Sequence, residues 1–165
     1  LLSADAEAIA KQPGMGETST AAIKIVQSAA LRLISEPART RPVLSSWQAL
    51  SDYLHADMAH RATERVRVLH LDGKNRLIRD ELASEGSIDE AAVYTREIIR
   101  RALDLGTAAL ILVHNHPSGD PTPSRADIAL TREILEAGKR LNIQVHDHLI
   151  IGKDGHTSMR SQGLI

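Results

Sequence analysis

The chain contains no cysteine. Disulfides, thiolate zinc fingers, iron–sulfur clusters and cysteine nucleophiles are therefore excluded. Aromatic residues are almost as scarce: phenylalanine is absent, and Trp47, Tyr53 and Tyr94 make up the 2%. So few flat side chains exclude a base-stacking platform for single strands. Neither sign of charge is in excess, with Lys+Arg 20 against Asp+Glu 21 and a net charge of -1. Wrapping of nucleic acid by bulk charge is excluded, although a local basic patch is not. No apolar run reaches the roughly 18 residues that a membrane span requires, so no membrane contact is expected. What remains is 165 residues, 42% apolar and 25% charged. That balance describes a globular domain with enough chain to bury a core without covalent staples. Lack of cysteine suits a reducing compartment, and a cytoplasmic location is expected. The chain begins at Leu1. It is expected to be a piece of a longer protein, so a missing signal segment carries no weight.

Residues 1–35 read as a small helical unit. Pro13-Gly14-Met15-Gly16 breaks a first helix, and Ile23, Val26, Ala30 and Leu33 mark a second by their spacing. Residues 36–42 hold two prolines and two arginines and read as a linker. From residue 43 to 165 the pattern changes to a second domain. Ser45 or Ser46 is placed to cap a helix carrying Trp47, Leu50, Leu54 and Met58 on one face. Glu64 to Leu71 alternates as a strand, Asp72-Gly73-Lys74-Asn75 is a hairpin-type turn, and Arg76 to Ser84 returns. A helix over Tyr94–Leu105 ends at Gly106, and Ala108–Val113 reads as a fully buried strand. Ser124 begins a helix to about Leu141, and Ile143–Ile151 is a further strand. No internal repeat is present. The order β-β-α-β-α-β predicts an α/β fold with a mixed central sheet and flanking helices, preceded by the small helical unit.

The chemistry concentrates where the buried strand ends. His114 and His116 are two apart, so on a strand both imidazoles project to one side. Pro117 to Pro123 holds three prolines and cannot continue either helix or central strand. That loop turns the chain back, and Asp127 falls in the first turn of the helix beyond it. Two imidazoles and one carboxylate make a three-ligand site with an open fourth position, the layout of a catalytic zinc centre. Ser124-Arg125-Ala126-Asp127 also reads as a capping box, which needs no metal and is compatible with one. His146 and His148 form a second H-x-H, with His156 nearby. No carboxylate follows them at matching spacing, so they are the weaker candidate for a metal pair.

The run His114-Asn-His-Pro-Ser-Gly-Asp-Pro-Thr-Pro-Ser-Arg-Ala-Asp127 resembles the signature of the RadC family, a bacterial branch of the JAMM (MPN-type) zinc metalloprotease superfamily. From His116, seven residues lead to Ser124 and two more to Asp127 without a gap. Val66 to Leu77, Arg96-Glu97-Ile98, His146 to Gly152 and Ser158-Met159-Arg160 are also similar, as is Gly86-Ser87. Thr95 stands where the family has Pro, Ser87 where it has Thr, and Met159 where it has Phe. The resemblance implies an MPN/JAMM-like, cytidine-deaminase-like layout over residues 43–165. It implies that Zn2+ is held by His114, His116 and Asp127, and that the upstream glutamate is Glu64, ahead of Glu81, Glu85 and Glu97.

A bound zinc lowers the pKa of its water from 15.7 toward ~7. Glu64 would take the water proton and pass it to the leaving amine, and Ser124 would stabilise the oxyanion. The expected reaction is hydrolysis of amide or isopeptide bonds in a peptide or protein substrate. Residues 13–18 are similar to the helix-hairpin-helix turn that the family carries ahead of this domain. On that basis Gly14, Gly16 and Lys24 are candidate contacts for non-specific DNA, through exposed backbone N–H groups and a helix N-terminus. Against this, Glu17 beside them would repel phosphate. The alternative function is a DNA-binding accessory protein of DNA repair or recombination, with the zinc domain as a structural or interaction module.

Overall fold

The computed structural model describes residues 4–40, 43, 47–86 and 94–165. Two helices come first, α1 (Ala6–Ala10) and α2 (Glu17–Thr40), and α3 (Trp47–Met58) follows. Residues 36–40, expected in a linker, continue α2. Pro37 lies within that helix, where it removes one backbone donor. Residues 41 and 42, the capping serines Ser45 and Ser46, Ser87, and Leu1 to Ser3 lie outside the described residues.

The remaining elements are β1 (Glu64–Leu71), β2 (Leu77–Gly86), α4 (Thr95–Asp104), β3 (Ala109–Asn115), α5 (Arg125–Arg140), β4 (Gln144–Ile151) and β5 (His156–Ser158). They form a five-stranded sheet in the order β2-β1-β3-β4-β5. β1 is antiparallel to β2 and β3, β3 is parallel to β4, and β5 is antiparallel to β4. A parallel neighbour needs a crossover, and α5 supplies it between β3 and β4. The fold is α/β with a mixed sheet and flanking helices, as expected. The short β5 is an addition to the expected strands.

β3 lies at the centre and is buried at all seven positions, which is why its sequence is continuously apolar up to His114. Alternate residues feed two cores. Leu50, Leu54 and Met58 of α3 pack on Leu69, Leu71, Ile111, Val113, Leu149 and Ile151. On the opposite face Ile98 and Ala102 of α4 and Ile134 of α5 pack on Val68, Leu110, Leu112 and Val145. His114 continues the second series, so its ring emerges on the side covered by α4 and α5.

The hairpin between β1 and β2 turns on Asn75, whose φ of 59 is in the left-handed region that asparagine tolerates. Asp72 braces it by accepting from the backbone N–H groups of Lys74 and Arg76. The proline loop after β3 is moored to the end of β4. His116 N–H donates to Ile151 O (3.0 Å), and Lys153 N–H to Gly119 O (3.0 Å). Gly119 has φ +88, and a Cβ on Gly152 would sit 2.4 Å from Gly119 O. Only glycine permits this approach, and it holds the loop in the turn that delivers the chain to α5.

Candidate metal centre

β3 ends at Asn115, so His114 is the last buried histidine of the strand and His116 the first residue beyond it. Because His116 keeps a strand-like bond to Ile151, both rings project together, 4.8 Å between centroids. Asp127 is the third residue of α5. Ser124 caps that helix by accepting from Asp127 N–H (3.1 Å), and Asp127 Oδ2 accepts from Ser124 N–H (2.7 Å). This reciprocal box fixes the Asp127 side chain at the helix start. Its other oxygen, Oδ1, lies 3.4 Å from His114 Nε2, while Oδ2 is 3.6 Å from His116 Nε2. Among the described residues, ligand atoms of His114, His116 and Asp127 form a metal-type group within 4.8 Å of one another.

The hydrogen-bond partners test whether a cation belongs there. His116 Nδ1 is 2.7 Å from the carbonyl oxygen of Asp120. A carbonyl only accepts, so Nδ1 carries a proton, and in the neutral ring Nε2 carries the lone pair. That Nε2 lies 2.9 Å from Nε2 of His114. His114 turns its Nδ1 away to His148, 2.7 Å from Nε2 of that ring. Two imidazole nitrogens at that distance share either a proton or a cation, and the carboxylate beside them favours either positive charge. The donor set of two nitrogens and one oxygen matches zinc with an open position.

The electrostatics divide the histidines. Burial lowers His114 to about 4, against the attraction of Asp127. Burial and the neighbouring His114 lower His148 to about 3. Burial thus favours the neutral form of both rings, the form that metal ligation and its support require. The Asp127 carboxylate holds the more exposed His116 above its usual value. Burial raises Asp127 itself, but the two imidazoles and Ser124 outweigh it and carry the carboxyl below the usual carboxylate range.

Glu64 opens β1 at the same end of the sheet. The register pairs Val66 with His114, so Glu64 extends over His116 on the same face. Burial raises its carboxyl, His116 lowers it and Asp127 raises it, which places it among these groups. The rival glutamates stand elsewhere. Glu81 accepts from Arg101 Nε (2.8 Å), Glu85 accepts from Arg65 Nε (2.6 Å), and Glu97 holds Arg100 on the surface.

The second H-x-H does not act as a pair. Between Leu110 and Ile111 the register slips from Val145 to Asp147, which makes His146 an extra residue in β4. Such a bulge breaks the period of two. His146 Nε2 reaches Asn75 Oδ1 (2.7 Å), whereas His148 enters the centre behind His114. Asp147 accepts from Ser158 Oγ (2.5 Å) and Arg160 N–H (3.0 Å), tying down the closing segment. Two further residues were not singled out from the sequence. Thr131, fully buried on α5, bonds His148, and Asn115 bonds the backbone around Glu64. A threonine four residues after Asp127, on the same helix face, is the signal that marks the first.

In the N-terminal unit, Gly14 has φ +79 and Gly16 is exposed, both in the turn between α1 and α2. Lys24 does not extend freely there. Its Nζ donates to Ala4 O (2.6 Å) and Gln27 Oε1 (2.7 Å), which fastens the segment ahead of α1 to α2.

The fold and this centre define a class: a mixed-sheet α/β domain with a two-histidine, one-aspartate cluster at a strand–loop–helix junction. The chain belongs to the RadC family, and a RadC-like JAB domain is matched over residues 44–164. A relative called UPF0758 protein, from Rhodobacter capsulatus, is 53% identical over 165 residues, covering 100% of this chain and 77% of that protein.

Proposed function

We propose that this protein is a zinc-dependent hydrolase of amide or isopeptide bonds. The observation that carries the reading is the pair of Nε2 atoms of His114 and His116, 2.9 Å apart beside the Asp127 carboxylate. Family membership supports it. His114, His116 and Asp127 would hold the ion. A zinc ion held there would supply Lewis acidity, lowering the pKa of water and polarising a carbonyl. Glu64 takes a proton from the attacking water, and its raised carboxyl suits return of that proton to the leaving amine. Ser124 Oγ already accepts from Asp127 N–H, so its own proton is free to donate to the developing oxyanion. The exposed position of Ser124 leaves that donor open to a substrate. The Asp120 carbonyl keeps the His116 ring turned so that Nδ1 stays protonated.

Metal analysis of the purified protein after zinc reconstitution is the test. One zinc per chain is expected, and none overturns the reading. Asp127→Ala should lose the metal. Glu64→Gln should retain it while peptide or isopeptide hydrolysis falls about 10²–10⁴-fold. A Glu64→Gln variant as active as wild type would place the base on another residue.

A further inference from the structure

We propose that Thr131 and His148 are positioning residues that set the tautomer of His114, leaving its Nε2 bare toward His116 and Asp127. The inference concerns the same centre and rests on the metal reading above for its purpose, though not for its geometry.

The direction of the protons follows from one end of a chain of bonds. Thr131 Oγ1 is 2.6 Å from the backbone oxygen of Asp127, one helical turn earlier. A carbonyl only accepts, so the single hydroxyl proton points there. The Met159 sulfur, at 3.7 Å, is too weak an acceptor to compete for it. Thr131 Oγ1 must then accept its other close contact, 2.6 Å from His148 Nδ1. His148 therefore carries its proton on Nδ1, and a neutral imidazole has only one. Its Nε2 is bare and accepts, at 2.7 Å, from His114 Nδ1. The proton of His114 is thereby assigned to Nδ1.

The opposite direction fails at both ends. It would bring the Thr131 and Asp127 oxygens to 2.6 Å with no proton between them. It would also put a proton on His114 Nε2, aimed at the site. Thr131, His148 and His114 are at most 1% exposed, so water does not substitute for any of these bonds. The chain begins on the peptide of Asp127 and ends on the ring of His114. Helix α5 and strand β3 are thus locked to each other behind the centre. Packing alone would be satisfied by either tautomer; presentation of a lone pair is not.

Two measurements test this without reference to activity. Long-range ¹H–¹⁵N NMR of the metal-free protein reads the His114 tautomer directly. Competition with a chromophoric chelator reads zinc affinity for wild type, Thr131→Val and Thr131→Ser. Wild type should show His114 protonated on Nδ1. Thr131→Val, close in shape but without the hydroxyl, should show mixed tautomers and bind zinc about 10–100-fold more weakly. Thr131→Ser should restore both. His114 protonated on Nε2 in wild type overturns the proposal even if no variant folds. So does a Thr131→Val protein that binds zinc as wild type does. A wild type that binds no zinc while His114 is protonated on Nδ1 overturns the metal reading and supports the tautomer assignment.

Discussion

Between the two histidines stands Asn115, which points to the other side of the strand and is 1% exposed. The backbone ladder between β1 and β3 ends at Val66 and His114. Beyond it, Asn115 Oδ1 accepts from Arg65 N–H (2.9 Å) and Asn115 Nδ2 donates to Thr63 O (3.1 Å). The side chain replaces the missing rungs and brackets Glu64 from both sides. Asn115→Ala removes both of these part-buried bonds, a cost of about 0.5–1.5 kcal/mol each. The expected result is a lower melting temperature and reduced Glu64-dependent hydrolysis, with metal content at the wild-type level. Thermal melts, metal analysis and a rate assay on one preparation check all three. The sequence shows why this role was hidden. H-x-H draws attention to the outer residues, and a middle residue on the opposite face has no periodic signal of its own.

At the scale of elements, α4 starts without a side-chain cap. Its N-cap is Tyr94, in extended conformation with φ -98 and ψ 117. Thr95 follows at the first helical position, and its buried Oγ1 has no hydrogen-bond partner among the described residues. Proline favours that position, because the N–H it lacks is one the helix does not use. Tyr94 already has the extended backbone that a following proline requires. Thr95→Pro should therefore stabilise the protein by roughly 0.4–1 kcal/mol, chiefly by restricting the unfolded chain. Differential scanning calorimetry should show the midpoint about 1–4 °C higher. A lower midpoint would mean that the Thr95 N–H is in use. The same scale explains the second histidine pair. Its strand is legible from the apolar run, but the slip at His146 arises from pairing with β3, which no local pattern records.

Across the molecule, the α3 side of the sheet is held by a half-buried ionic cluster that joins three elements. Arg67 of β1 binds Asp80 of β2 (Nη2–Oδ2, 2.7 Å) and Asp57 of α3. Tyr53 of α3 donates to Asp80 Oδ2 (2.9 Å) and accepts from Arg67 Nη2 (3.0 Å). Burial, then the charge of Asp80, raise the Tyr53 phenol from 10.0 to about 12. The neutral phenol is thus favoured in the folded state. The stability this contributes is fully present below the unfolded value of 10.0 and is lost as pH rises toward about 12. Melting temperature should fall through that window, and Tyr53→Phe should flatten the fall. Absorbance at the phenolate band should show one tyrosine ionising only near the upper end. A wild-type curve as flat as that of Tyr53→Phe would remove the phenol from the account. No described helix is long and apolar enough to cross a membrane.

The order of strands and helices, the central place of β3 and the turn of the chain into α5 were open to reading from the residues, because each depends on local periodicity, capping and proline. His114, His116 and Asp127 belonged to that same legible stretch. Tertiary structure alone decided that Glu64 extends over His116, that His148 leaves His146 and stands behind His114, and that Thr131 and Asn115 complete the surroundings. Each of these depends on strand register and on the facing of α5 against the sheet. Such relations join residues far apart in the chain, and short-range preferences do not encode them.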